Sequence, residues 1–93
     1  MKVDNEVVVS GLLHHIRSEK KNDKYFLFSV KQETPWHDGS VRKDFLVCRA
    51  FIPAVQEQLK ALPEGAPLRV RGSLQSSLGS GEMYLYAQDV ELL

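Results

Sequence analysis

Residues 44–52 (DFLVCRAFI) alternate side chains of two different characters. Successive side chains of a β-strand point to opposite faces. One face of this run therefore carries Phe45, Val47, Arg49 and Phe51, and the other carries Leu46, Cys48, Ala50 and Ile52. The second set is small and aliphatic and reads as core. The first places two aromatic rings around a guanidinium, and two readings of it stand side by side. Aromatic residues in strands are usually packing residues, so a sheet buried on both sides would use the rings as core. A flat aromatic surface with a cation beside it is also what unpaired nucleobases stack on, at about 1–3 kcal/mol per base.

The rest of the chain supplies the frame for that strand. Residues 5–16 (NEVVVSGLLHHI) are rich in β-branched and aliphatic side chains and read as a first strand, with Gly11 suggesting a bulge or bend. Residues 17–24 (RSEKKNDK) are polar, lack periodicity and read as a loop. Residues 25–31 (YFLFSVK) alternate again, with Phe26, Phe28 and Val30 opposite Tyr25, Leu27, Ser29 and Lys31. Residues 32–43 contain Pro35, Trp36 and the turn pair Asp38-Gly39, which predicts a connecting loop between strands two and three.

After residue 52 the period changes. Pro53 suits a first helical position, Val55, Leu59 and Leu62 share one helical face, and Pro63, Glu64 and Gly65 stop the helix. Residues 67–74 (PLRVRGSL) form a fourth strand with Leu68, Val70 and Gly72 opposite Arg69 and Arg71. Residues 75–82 (QSSLGSGE) are a Ser/Gly turn region, and residues 83–93 form a fifth strand with Tyr84 and Tyr86 on one side and Met83, Leu85 and Ala87 on the other. The order β-β-β-α-β-β predicts an all-β protein, a five-stranded Greek-key barrel of the OB-fold type with one short helix between strands three and four. The 93 residues make a single domain of this kind, since so short a chain has surface enough for one core. Such barrels bind ligands over strands two and three, where the aromatic face of residues 44–52 would lie.

Composition narrows the function. With 43% hydrophobic and 26% charged residues the chain is an ordinary globular protein, not a disordered one. No window approaches a membrane span, and Asp4 and Glu6 stand where a signal peptide would be apolar, which predicts a cytoplasmic protein without membrane contact. The one cysteine, Cys48, lies on the apolar strand face and reads as a buried thiol in a reducing compartment. Twelve basic and twelve acidic residues cancel, which argues against a partner held mainly through phosphates. The cations are unevenly placed, however: from Gly72 onward there is no Lys or Arg, so the first part of the chain carries a modest positive excess.

The chain resembles the bacterial single-stranded DNA-binding protein family, which includes primosomal replication protein N. The segments that carry the resemblance are NEVVVSGLL as an opening strand, FLFSVKQETPW as a second strand running into a Trp-bearing loop, and DFLVCRAF as a third strand opened and closed by aromatics. The helix VQEQLKAL, the turn and strand EGAPLRVRGSL and the ending EMYLYAQDVELL follow in the family's order. The resemblance implies base stacking on Trp36, Phe45 and Phe51. It also implies phosphate contacts from Arg17, Lys20, Lys21 and Lys24 in the first loop, Arg42 and Lys43 before strand three, and Arg49 on it. It implies single-stranded DNA as partner, bound with little sequence preference in replication, repair or replication restart. A homodimer or homotetramer and contacts with replication or restart proteins are implied with it. Two departures stand out: the hairpin QSSLGSGE has neither ring nor cation where the family has a longer basic one, and no acidic tail follows strand five.

Other chemistries find little support. His14, His15, His37 and Cys48 fit no metal-ligand spacing, because adjacent strand residues such as His14 and His15 face opposite ways. No spacing suggests a catalytic triad or a carboxylate pair, and there is no Gly-rich phosphate loop, so neither an enzyme nor a cofactor is expected. Val7 and Val9, flanked by Glu6 and Ser10, are expected to form an exposed apolar edge. The rival function is a protein–protein adaptor of a primosome or recombination complex on the same scaffold, since an OB-fold by itself does not choose its partner.

Overall fold

The apolar alternations of the sequence all become strands, and the ladders run further than the apolar residues do. The structure, a computed structural model, describes residues 1–17 and 24–93. Within them β1 (Val7–His15), β2 (Phe26–Pro35), β3 (Val41–Ala50), α1 (Pro53–Lys60), β4 (Pro67–Ser76) and β5 (Met83–Leu92) follow one another. The strands close into a barrel in the order β1-β2-β3-β5-β4, with β4 returning to β1. Only β3 and β5 run parallel, through the pairs Cys48–Leu85 and Arg49–Tyr86. This is the OB-fold: five strands, a helix between the third and fourth, and a Greek-key closure.

The barrel interior takes one face of each strand. Leu13, Phe28, Val30, Cys48, Ala50, Leu68, Val70, Leu85, Ala87 and Val90 are buried there. Helix α1 starts at Pro53, whose missing N–H costs nothing at a first helical position. It packs against β5 and β3 and buries Val55 and Leu59, while Leu62 beyond its end still touches the core. Phe28 is the largest fully buried side chain, and its truncation to alanine would cost about 3–5 kcal/mol. Among the described residues no helix is long and apolar enough to cross a membrane.

Three local expectations change. Residues 32–35 and 41–43 are strand rather than loop, since the β2–β3 ladder continues from Lys31–Phe45 to Pro35–Val41 and leaves a short turn at residues 36–40. That extension is polar or exposed on both faces, so it carries no apolar period. Val7 and Val9 pack against the core instead of forming an exposed edge, and it is Val8 and Leu12, each 45% exposed, that face outward. Gly11 makes no bulge; it marks a close approach of strands, where a Cβ would stand 2.4 Å from the Lys31 carbonyl oxygen. The irregularity lies instead between Arg71 and Gly72, opposite β5.

Candidate functional site

The outer face of β3 sets the site. Strand alternation turns Phe45, Val47 and Arg49 outward, and Phe51, just past the strand end, continues the row. Phe45 is 51% exposed and Val47 41% exposed, so this part of the face is not a second core. Lys31 and Leu12, in register with Phe45, extend the surface, whereas Ser29, in register with Val47, is buried, with half-buried His14 beyond it on β1.

Arg49 is held differently from the sequence expectation, which placed its guanidinium between Phe45 and Phe51. Its Cζ stands 4.7 Å from the centre of the Tyr25 ring and 4.2 Å from that of Tyr84. Arg49 pairs with Tyr86 across the parallel β3–β5 ladder, which brings β5 rings to β3. Phe51 joins the same group, 5.1 Å from Tyr25 and stacked at 5.4 Å and 21° on Tyr86. The Arg49 Nε is buried and has no hydrogen-bond partner among the described residues. Facing rings therefore supply much of the compensation for its charge, since attraction to an aromatic face strengthens as the cation is desolvated.

Phe45 stands apart from that group. The His14 ring meets it edge-on at 5.2 Å, and His14 Nδ1 lies 2.9 Å from Glu64 Oε2. The same carboxylate accepts the His15 backbone N–H at 2.7 Å. That hydrogen bond and then the one to His14 hold the Glu64 carboxyl below the ordinary glutamate range. Glu64 thus ties the loop after α1 to β1 and fixes the ring beside Phe45. His15 points the other way, toward Phe26 and the Leu62 carbonyl.

Trp36 sits at the tip of the β2–β3 hairpin, 41% exposed. Its backbone N–H donates to the Ser40 carbonyl at 2.8 Å and its carbonyl accepts the Gly39 N–H at 3.0 Å. Gly39 has φ of 88°, a backbone conformation that favours glycine. The Arg42 guanidinium lies 4.4 Å from the Trp36 ring centre, and its Nε donates to both oxygens of Asp44, at 3.1 and 3.0 Å.

The other expected cations divide. Lys43 lies 4.0 Å from Glu33, which also takes Lys31 at 3.3 Å. Arg17 and Lys24 are exposed at the two ends of the first loop. Lys20 and Lys21 lie outside the described residues. Structure therefore brings Arg42 to Trp36, and Arg49 to Phe51 through Tyr25 and Tyr84, while Phe45 keeps company with His14. Tyr25, Tyr84 and Tyr86 belong to this surface and were not singled out from sequence. The one signal that could have found the last two was their shared outward face on strand five.

Two shallow clefts flank the face. One, of about 420 Å³, opens where β1 and β2 diverge and is lined by residues from Ser10 to Leu12 and from Lys31 to Thr34. The other, of about 440 Å³, lies on the β5 and β4 side of Phe51. Among the described residues no group of three or more His, Cys, Asp or Glu side chains is placed to hold a metal ion.

No protein-family model matches the chain, and no curated protein does. Solved structures match over nearly its whole length. The single-stranded DNA-binding protein of Plasmodium falciparum, in its complex with single-stranded DNA, superposes with a TM-score of 0.74 at 18% identity, covering 100% of this chain and 97% of that one. A small single-stranded DNA-binding protein from Mycoplasma pneumoniae superposes with a TM-score of 0.70 at 15% identity, covering 96% and 93%. At these identities the likeness is one of fold. The chain shares its barrel with single-stranded DNA-binding proteins, in agreement with the resemblance read from its sequence.

Proposed function

We propose that the protein binds single-stranded DNA over the outer face of β2, β3 and β5, with little sequence preference along most of the strand. The observation that carries this reading is Phe45, a ring left half exposed at mid-strand on the same face as Arg49 and its aromatic neighbours. An apolar ring at such a position, without a covering loop among the described residues, presents a π-face to which any base can stack. From Phe45 to Phe51 the chain advances about 20 Å along the strand direction. That length gives room for several nucleotides.

Affinity in this mechanism comes from stacking on Trp36, Phe45 and Phe51 more than from charge. Arg42, Lys43 and Lys31 already have carboxylate partners in Asp44 and Glu33. A phosphate must displace these partners or share the cation with them, so fewer net counterions are released. Arg17, Lys20, Lys21 and Lys24 in the first loop complete the proposed phosphate track. The role is in DNA replication, repair or replication restart, inside the cell and without catalysis.

Self-association belongs to the same proposal. Strand β1 pairs with β4 from Val7 to Leu12 but with β2 only from Leu12 to His15. The edge of its first half that faces away from β4 has no strand partner among the described residues, and Val8 and Leu12 are exposed beside it. A homodimer or homotetramer built on that edge would cover both.

The deciding experiment is quenching of the single tryptophan, Trp36, on titration with oligo-dT at low and moderate salt. Strong quenching is expected at both, with log K falling against log salt no more steeply than about −2, the equivalent of about three phosphates. Absence of quenching together with absence of binding to a labelled oligonucleotide would remove the DNA-binding reading and leave the adaptor function in its place.

A further inference from the structure

The cleft beside Phe51 is lined by Phe51, Tyr84 and Tyr86 together with Ser73, Gln75 and Gln88. No charged side chain lines it, which excludes a phosphate or a carboxylate as its natural occupant. Its aromatic side is formed by the stacked Phe51 and Tyr86 rings and by Tyr84, which Arg49 braces from beside it. Its polar side consists of neutral groups of both hydrogen-bonding senses. Gln75 Nε2 donates to Ser73 Oγ at 2.9 Å, so the Gln75 carbonyl oxygen remains an acceptor and the Ser73 hydroxyl proton remains a donor. Gln88 is exposed, and its amide makes no hydrogen bond among the described residues. It stands on β5 opposite the break in register between Arg71 and Gly72.

A flat, uncharged ligand with donors and acceptors along one edge fits this combination, and a nucleobase is such a ligand. We infer that the cleft holds one unpaired base of single-stranded DNA and reads its edge through Ser73, Gln75 and Gln88. Binding then carries a base preference at a single position. This inference rests on the proposed DNA-binding function. Trp36 and Phe45 offer only ring faces to a base and do not discriminate, whereas a glutamine amide matches the N6 donor and N7 acceptor of adenine together. Adenine is therefore the favoured base in the cleft, within a strand otherwise bound without regard to sequence.

The test uses labelled oligo-dT and the same oligonucleotide with one central dT replaced by dA, dC or dG, titrated by fluorescence anisotropy. The protein is the full chain and the Ser73→Ala/Gln75→Ala/Gln88→Ala variant. Gln75 and Gln88 are exposed and Ser73 only half-buried, and circular dichroism with thermal melting verifies that the variant folds. In the wild-type protein the single dA is expected to tighten binding by about fivefold or more, with dC and dG doing less. In the variant the four oligonucleotides should bind alike. Equal binding of all four by the wild-type protein, or discrimination that survives in the variant, overturns the inference while leaving DNA binding intact. Failure to bind any of them, oligo-dT included, overturns the proposed function and this inference with it.

Discussion

Arg49 on β3 lies 4.2 Å from the ring centre of Tyr84 on β5, a contact that joins the two strands across their parallel seam. Tyr25 meets the same guanidinium at 4.7 Å, so one cation engages two rings. A double-mutant cycle of Arg49→Met and Tyr84→Leu is expected to give a coupling of about 1 kcal/mol in urea unfolding, between the exposed and the desolvated extremes for such pairs. Coupling within about 0.3 kcal/mol of zero would mean that the contact is adjacency without interaction.

Stacking and charge are separable on this surface. Trp36→Ala with Phe45→Ala should weaken binding to a labelled oligo-dT by about thirtyfold or more, two bases at the lower end of the stacking range. Arg42→Ala with Lys43→Ala should cost less than about tenfold, since Asp44 and Glu33 already hold those cations. Anisotropy of the labelled strand reads both, as one pair removes the tryptophan. Equal or reversed losses would make the mechanism charge-led.

Cys48 is fully buried, and burial pushes its thiol up to about 12. Native protein at pH 8 should therefore resist iodoacetamide, with labelling that follows unfolding in urea and no faster route. The sign of the linked stability follows from the raised value. The contribution is fully present below the ordinary thiol pKa of about 8.5 and is lost as pH rises toward the folded value, at about 1.4 kcal/mol per pH unit between them. Comparing urea midpoints of wild type and Cys48→Ala at pH 8 and pH 10 isolates this slope. A parallel fall in both proteins would show that Cys48 does not contribute it.

Gly72 is buried in β4 with the Tyr86 carbonyl so close that an added Cβ would stand 1.8 Å from its oxygen. The obstructing atom is backbone and cannot rotate away. Gly72→Ala should destabilise the fold by roughly 1–3 kcal/mol, the cost of overpacking, and should displace Tyr86 from beneath Phe51. Urea unfolding measures the first effect and loss of oligo-dT affinity the second. A variant as stable as wild type would show that the strands separate at little cost.

The hairpin and the site mark where sequence reading reaches and where it stops. The faces of β3 and β4 were legible because burial alternates with the strand pleat: Cys48 and Ala50 are buried against half-buried Arg49, and Leu68 and Val70 against Arg69 and Arg71. Residues 32–35 and 41–43 were not legible as strand, since ladder bonds are made by backbone and neither face there meets the core. Glu64 gave no sign in the sequence of holding His14 beside Phe45, because a carboxylate in a helix-terminating loop is ordinarily solvated.

By itself the sequence determined the period of each segment, and with it the order of five strands and one helix, the inward residues, and the outward placement of Phe45, Val47 and Arg49. Those follow from local geometry and the tendency of apolar side chains to leave water. Only the tertiary structure decided what Arg49 and Phe51 touch. The rings that surround them come from before β2 and from β5, and the Arg49–Tyr86 register that delivers β5 exists only once the barrel has closed. A strand pattern specifies which way a side chain points, whereas its neighbour on the next strand depends on how the whole sheet is paired.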